Sequence, residues 1–213
     1  MTFEVLGHLV LLQAKSALAD FAAADRHAAS ADELGEKYGL PLVGVFTRWY
    51  RAMRTAMTGS GGAAAYRAAA VGLAGTAMSG VDNGILALAL FCDRLQRGLP
   101  PQALEESYGA YESWCRPVLP IPDSPRDLLF EARTCLHAVV AIELGDRAAM
   151  ERLYTELLPA EGEIAGAGSG MLTLRPVAHY LGELATALGL PEAAEHCRKA
   201  RAIAVKAGSP HWG

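Results

Sequence analysis

Residues 172–212, LTLRPVAHYLGELATALGLPEAAEHCRKARAIAVKAGSPHW, decide the fold. Val177, Leu181, Leu184 and Leu188 recur at the three-to-four-residue spacing that gathers side chains on one helical face, while Arg175, His179 and Glu183 take another. Gly189, Leu190 and Pro191 make a tight turn, because glycine ends a helix in left-handed geometry and proline suits the first turn of the next. The second helix carries Ala193, Cys197, Ala200 and Ala204 along one side and ends at Gly208, before Pro210. Small side chains at that spacing let two helices approach closely. The stretch predicts a helical hairpin.

The same hairpin recurs along the chain. Residues 3–18 and 21–38 form a first pair, with Asp20 as N-cap and Gly39 to Pro41 as the stop. Ala24, Ala28 and Ala31 supply the small contact residues of its second helix. Residues 42–57 and 63–78 form a second pair across a glycine-rich turn, with Ala63, Tyr66 and Ala69 on one face. Residues 85–96 and 103–115 form a third. A proline-rich link, RPVLPIPDSP (116–125), then divides a single domain, 1–213, into sub-units 1–118 and 124–213. Residues 127–144 and 148–158 form a fourth pair, turning at Gly145 and Asp146, and the opening stretch is the fifth. No segment alternates with the period of a strand. The predicted fold is all-α, about ten helices in five antiparallel pairs.

Leu-Gly in a first helix, a glycine turn, then A-x3-(large)-x2-A in a second is the pattern of a tetratricopeptide (TPR) unit. Leu181 and Gly182 followed by Ala193, Cys197 and Ala200 resemble a degenerate copy, with Cys197 in an aromatic place that Tyr154 fills in the preceding pair. The chain as a whole resembles the C-terminal TPR region of large actinobacterial transcriptional activators, the antibiotic-regulatory and ATP-binding LuxR-type proteins. RWYRAMRTAM (48–57), the run from Gly166 to Gly189 and KAGSPHW (206–212) carry the resemblance. It implies a TPR-like α-solenoid that serves as a sensor or scaffold beside DNA-binding and nucleotide-hydrolysing domains. Neither of those is legible here: no G-x4-G-K-[ST] loop and no basic helix-turn-helix occurs.

Composition agrees with closely packed helices: 52% of residues are hydrophobic and only 7% aromatic. A net charge of −4 invites no nucleic acid. Cys92, Cys115, Cys135 and Cys197 form no C-x-x-C pair and each lies in an apolar helical stretch, so they read as reduced core residues of a cytoplasmic protein. VLGHLVLL (5–12) is broken by His8 and lacks a basic leader, which argues against a signal peptide or membrane span.

Candidate chemistry is sparse. The glycine-rich run 166–170 precedes a helix without a strand before it or a Lys-Ser/Thr after it, and reads as a flexible linker rather than a phosphate cradle. His179 and Glu183 stand four apart on one face, but no third metal ligand is visible. His137, within LHAVVAIEL, reads as a hydrogen-bonded core histidine. Nothing in the sequence designates a catalytic residue, metal or cofactor. The informative polar feature is Arg48, Arg51 and Arg54, spaced at three beside Trp49 and Tyr50. On the concave side of a helical array, Arg48, Trp49 and Arg51, extended by Arg175 and His179, would meet a carboxylate- or phosphate-bearing partner. The competing expectation is a solvated arginine face paired with acids such as Asp82 or Asp93.

The first helix is apolar around most of its circumference, with Glu4, His8 and Lys15 in one narrow stripe. A terminal helix of an array normally keeps a polar outer face. That contrast predicts a homodimer through Leu6, Leu9 and Val10. The sequence supports two functional readings. One is a non-catalytic regulatory or scaffold module that binds a protein partner or small effector, linked to transcriptional regulation of secondary metabolism. The other is a stand-alone biosynthetic enzyme, cyclase-like or acid/base, that uses the groove as a reaction chamber.

Overall fold

Helix-forming periodicity governs all of the computed structural model, which describes residues 2–59, 61–73, 82–98, 120–209 and 211–212. Among these residues there are nine α-helices and no strand. They are α1 (Thr2–Ala17), α2 (Phe21–Lys37), α3 (Pro41–Met57), α4 (Gly62–Val71), α5 (Asp82–Gln96), α6 (Phe130–Leu144), α7 (Arg147–Leu157), α8 (Val177–Leu188) and α9 (Ala193–Ala207). The expected partner of α5, residues 103–115, lies outside the described residues together with Cys115 and residues 116–119 of the proline-rich link.

Local chemistry sets the ends. Asp20 accepts a hydrogen bond from the Ala23 amide at 3.3 Å and Asp146 one from the Ala149 amide at 3.1 Å, capping α2 and α7. Three boundaries differ from expectation by three residues or more, and at the first of them α5 starts at Asp82 rather than at Ile85. α6 starts at Phe130 rather than at Asp127, whose carboxylate accepts from the Leu129 amide at 3.0 Å and holds an Asx turn in place of a first helical turn. α4 ends at Val71, and residues 74–78 of the longer helix expected there are outside the described residues.

Consecutive helices pack as hairpins (α1 on α2, α3 on α4, α6 on α7, α8 on α9), and α2–α3, α4–α5, α7–α8 and α6–α8 contacts join them. Small residues permit the approach. Ala24, Ala28 and Ala31 are buried in α2. A methyl on Gly35 would lie 3.0 Å from Val43 Cβ, and one on Gly62 only 2.8 Å from Ala56 Cα. One buried cluster runs from Leu12 of α1 to Trp212, including Trp49, Phe91, Leu136 and Leu181.

The connection from α7 to α8 departs most from the sequence reading. Instead of a flexible linker, residues 161–176 fold into the interior. Ile164, Ala165, Ala167, Leu172 and Leu174 are buried. The Leu174 amide donates to Ala165 O at 2.9 Å and the Val177 amide to Glu163 O at 2.9 Å, pinching the segment into a closed loop. Ser169 Oγ donates to Gly166 O at 2.6 Å across the 3-10 turn Ala167–Ser169. The Ile164 amide donates to Ala17 O at 2.8 Å, and Gln13 Nε2 to Ser169 O at 3.2 Å. Lys206 Nζ of α9 reaches Leu18 O at 2.7 Å. First and last hairpins therefore meet through this plug, whereas an open array would hold them apart. At the other side Trp212 Nε1 donates to Gln96 Oε1 of α5 at 3.0 Å.

Cys92 and Cys135 are buried as expected, and burial pushes the Cys135 thiol well up. Cys197 is exposed, a correction explained by its place at the rim of α9. His137 is buried with Nδ1 3.3 Å from Ser124 Oγ. Burial first, then the Arg133 and Arg152 charges, lower its pKa below the ordinary 6.5.

Two predictions follow from these contacts. Gly166 sits at φ +78°, and a methyl there would lie 2.6 Å from Leu172 Cδ1 and 3.2 Å from Ala132 Cβ. Gly166→Ala should cost about 2–4 kcal/mol in urea unfolding, from strain plus overpacking, against about 1 kcal/mol or less for Gly168→Ala. For His137 the unfolded chain binds the proton more tightly than the folded one. Its contribution is complete above pH 6.5 and is lost as pH falls below that value, at up to about 1.4 kcal/mol per pH unit. Unfolding free energies measured between pH 7.5 and 5.5 should show this decline, and His137→Gln should flatten it.

Candidate functional site

Proline at the first turn of α3 starts a helix whose successive side chains step by about 100°. Gly44, Thr47, Arg48 and Arg51 consequently turn toward α2, where Asp32, Gly35 and Glu36 face them, with Gly39 of the following turn. Between the two helices lies a solvent-open cleft of about 560 Å³. Trp49, one step further around, points inward instead. It is 2% exposed and tilted against Tyr66 with ring centroids 5.9 Å apart, so it is a core residue and not part of a binding surface.

The three arginines have separate fates. Arg51 Nη2 donates to Asp32 Oδ2 at 2.5 Å, and the same carboxylate accepts from Thr47 Oγ1 at 2.6 Å. Arg54 lies over the Phe21 ring at 4.0 Å and reaches Asp25 at 3.9 Å. Tyr50 donates to Asp25 as well, and burial followed by that bond pushes its phenol well up. The acids that pair with α3 are thus those of α2, not Asp93, which holds Arg97 at 2.9 Å. The Asp82 side chain lies outside the described residues. Arg48 remains exposed and makes no ion pair among the described residues. Its guanidinium lies over Gly44 and against Gly72, where methyl groups would come within 3.2 Å of Nη1 and 2.9 Å of Nη2. Glycines at both places give the guanidinium its room, and Gly72 sits at the electronegative end of α4.

His179 belongs to a second, separate groove of about 460 Å³ formed by Val139 and Ile142 of α6, Gly182, Glu183, Thr186 and Ala187 of α8, and Cys197 of α9. The two clefts share no lining residue, so the expected continuous basic face is not formed. Arg175 is not free to extend either one. Its Nε and Nη2 both donate to Gln96 O at 3.3 Å, anchoring α8 to the end of α5, and its Nη1 lies 3.2 Å from His179 Nε2. The same His179 nitrogen is 3.4 Å from Glu183 Oε1. Unprotonated, it accepts from Arg175; protonated, it donates to Glu183. Cys197 Sγ rests on Gly182, 3.0 Å from where a methyl would stand, which fixes the thiol at the groove wall.

One constellation escaped the sequence reading. Tyr154 Oη lies 2.9 Å from His196 Nε2, His196 Nδ1 is 2.6 Å from Glu161 Oε1, and Lys199 Nζ donates to Glu161 Oε2 at 2.7 Å. Burial opposes ionisation of Glu161, yet the bonds from Lys199 and His196 hold its carboxyl below the usual range. Burial, then the Glu192 and Glu161 charges, raise the Tyr154 phenol, so its hydroxyl stays protonated. This acid–imidazole–hydroxyl chain lines neither cleft and works as a fastening between the 3-10 turn Leu158–Ala160 and α9. Its members come from three separated segments, so no spacing in the chain could have announced it. Among the described residues no group of three His, Cys, Asp or Glu is placed to hold a metal ion.

The residues expected at a dimer interface divide. Leu6 and Val10 are 54% and 52% exposed. Leu9 turns the other way, packing on the satellite cluster of Val5, Ala31 and Val43, and is a fold residue.

The different surroundings of the cysteines predict their reactivity. A thiol reagent should modify Cys197 in the folded protein and reach Cys92 and Cys135 only on unfolding. Counting fast-reacting thiols in the native protein and in Cys197→Ser, which should have one fewer, checks this.

Comparison with known proteins returns nothing: no family model, no curated protein and no solved structure matches this chain.

Proposed function

We propose that the chain is a non-catalytic, TPR-like regulatory or scaffold module that holds an anionic group of a protein partner or small effector in the α2–α3 cleft. The setting is that implied by the sequence resemblance, transcriptional control of secondary metabolism. The observation that carries the reading is Arg48, an exposed guanidinium without an ion pair among the described residues, at the wall of a cleft of about 560 Å³. Guanidinium forks suit carboxylates and phosphates because two parallel N–H donors match two oxygens. Arg51 and Thr47, both bound to Asp32, shape the floor rather than supply free charge. Glu36 on the facing wall disfavours a doubly charged ligand and favours one with a single carboxylate and a neutral or cationic neighbour.

The enzymatic alternative has less support. The Tyr154–His196–Glu161 chain, the acid–imidazole–hydroxyl constellation of the fold, lines neither of these clefts. A net charge of −4 gives no reason to expect nucleic acid as a direct partner.

Isothermal titration with a short peptide ending in a free carboxylate tests the reading. Arg48→Ala should weaken binding by about 1.5–3 kcal/mol, the range for a hydrogen bond to a charged group, with the melting temperature little changed. Glu36→Gln should leave binding equal or tighter. Equal affinity of Arg48→Ala and the parent removes the arginine, and with it this cleft, from the function.

A further inference from the structure

The outer face of α1 is the least satisfied surface among the described residues. Phe3, Leu6, Val10, Leu11 and Leu18 are all exposed, Phe3 at 86%, and Ala14 lies among them. At 100° per residue they occupy an arc of about 140°, opposite the buried Val5, Leu12 and Ser16. Each large apolar side chain left in water forgoes the burial that stabilises a core, and several in one contiguous stripe mark an association surface.

From this we infer that α1 is a self-association helix, on which two copies of the chain pair antiparallel about a two-fold axis at Val10 and Leu11. The helix is self-complementary about that point. Phe3 comes opposite Leu18 of the second copy, Gly7 opposite Ala14, and Val10 opposite Leu11. Large residues thus meet at the ends and at the axis, with the small Gly7 and Ala14 between them. Gly7, with nothing within 4 Å of where its methyl would be, and Ala14 lie near the middle of the arc and let the two helices approach closely.

Charge decides the occupant and the direction. Glu4 and Lys15 lie along one edge of the arc, the acid near the start of α1 and the base near its end. An antiparallel mate sets Glu4 against the partner's Lys15 twice, once on each side of the axis. A parallel mate would carry the same edge of the two copies on opposite sides of the interface, so neither Glu4–Lys15 pair would form. The present contact of Lys15 is a 3.5 Å pair with Asp20 in which both side chains are well exposed, so Lys15 is open to a second carboxylate. His8, the remaining polar group of that edge, is already turned to His27, with their Nδ1 atoms 3.0 Å apart. The interface leaves both clefts free and is independent of the anion-binding reading.

Light scattering after size exclusion tests the pairing directly, with loading at about 10–100 μM to span ordinary protein–protein affinities. The expected mass is twice the 22.5 kDa of one chain. A species of 22.5 kDa at every loading overturns the proposal and leaves the face to a different protein. Val10→Glu should weaken the dimer at least about a hundredfold, whereas a dimer that survives it lies on another surface and also overturns the proposal. Glu4→Lys and Lys15→Glu should each weaken self-association by about three- to tenfold, and the double variant should restore it. Absence of that rescue in variants with unchanged circular dichroism overturns the antiparallel arrangement.

Discussion

The packing of Gly166 under Leu172 is the constraint on which the remaining architecture depends. Only a residue without Cβ can hold φ near +78° there while Leu172 and Ala132 close over it. With the turn in place, Ile164, Leu172 and Leu174 enter the core, and the same segment bonds to Ala17 of α1. The plug converts a string of hairpins into a body whose first and last members meet. Lys206 on Leu18 O and Trp212 on Gln96 then secure the last hairpin at two distant points.

Among the described residues several cations are neutralised by a carboxylate close by. Asp32 holds Arg51, Asp93 holds Arg97, Asp127 holds Arg133 and Glu161 holds Lys199. Such pairs contribute little each where solvent screens them, but they decide what is left over for a ligand. On α3 what is left over is Arg48. Its guanidinium rests between Gly44 and Gly72 and makes no ion pair with the α2 acids among the described residues.

The two clefts therefore differ in chemistry. The α2–α3 cleft has three glycines and opposite charges on its walls. The groove against α6 and α8 is predominantly aliphatic, with one histidine–carboxylate pair and one thiol at its edge. The Tyr154–His196–Glu161–Lys199 chain resembles catalytic hardware in composition, yet its hydroxyl is held protonated and lines neither of the two clefts. Composition alone does not make an active site; access and an activated group must coincide.

Much of the helical architecture was legible because helical periodicity is a local property. The 3.6-residue repeat of Val177, Leu181, Leu184 and Leu188, the cap at Asp20, the turn at Gly145 and Asp146 and the small residues of α2 each act over a few positions, and all are found in place. The burial of His137 was legible for the same reason, being surrounded by apolar neighbours along the chain. What the sequence could not decide is what depends on distant segments meeting. A glycine-rich run reads as a linker until Ala132 and Leu172 are known to close on it. Trp49 reads as a groove aromatic until the rotation of α3 against Tyr66 turns it inward. Arg51 and Arg175 read as free cations until Asp32 and the Gln96 carbonyl arrive from elsewhere in the chain. Periodicity tells which side chains share a face. Only the packed tertiary structure decides what that face meets, because burial and pairing are settled by neighbours in space rather than in sequence.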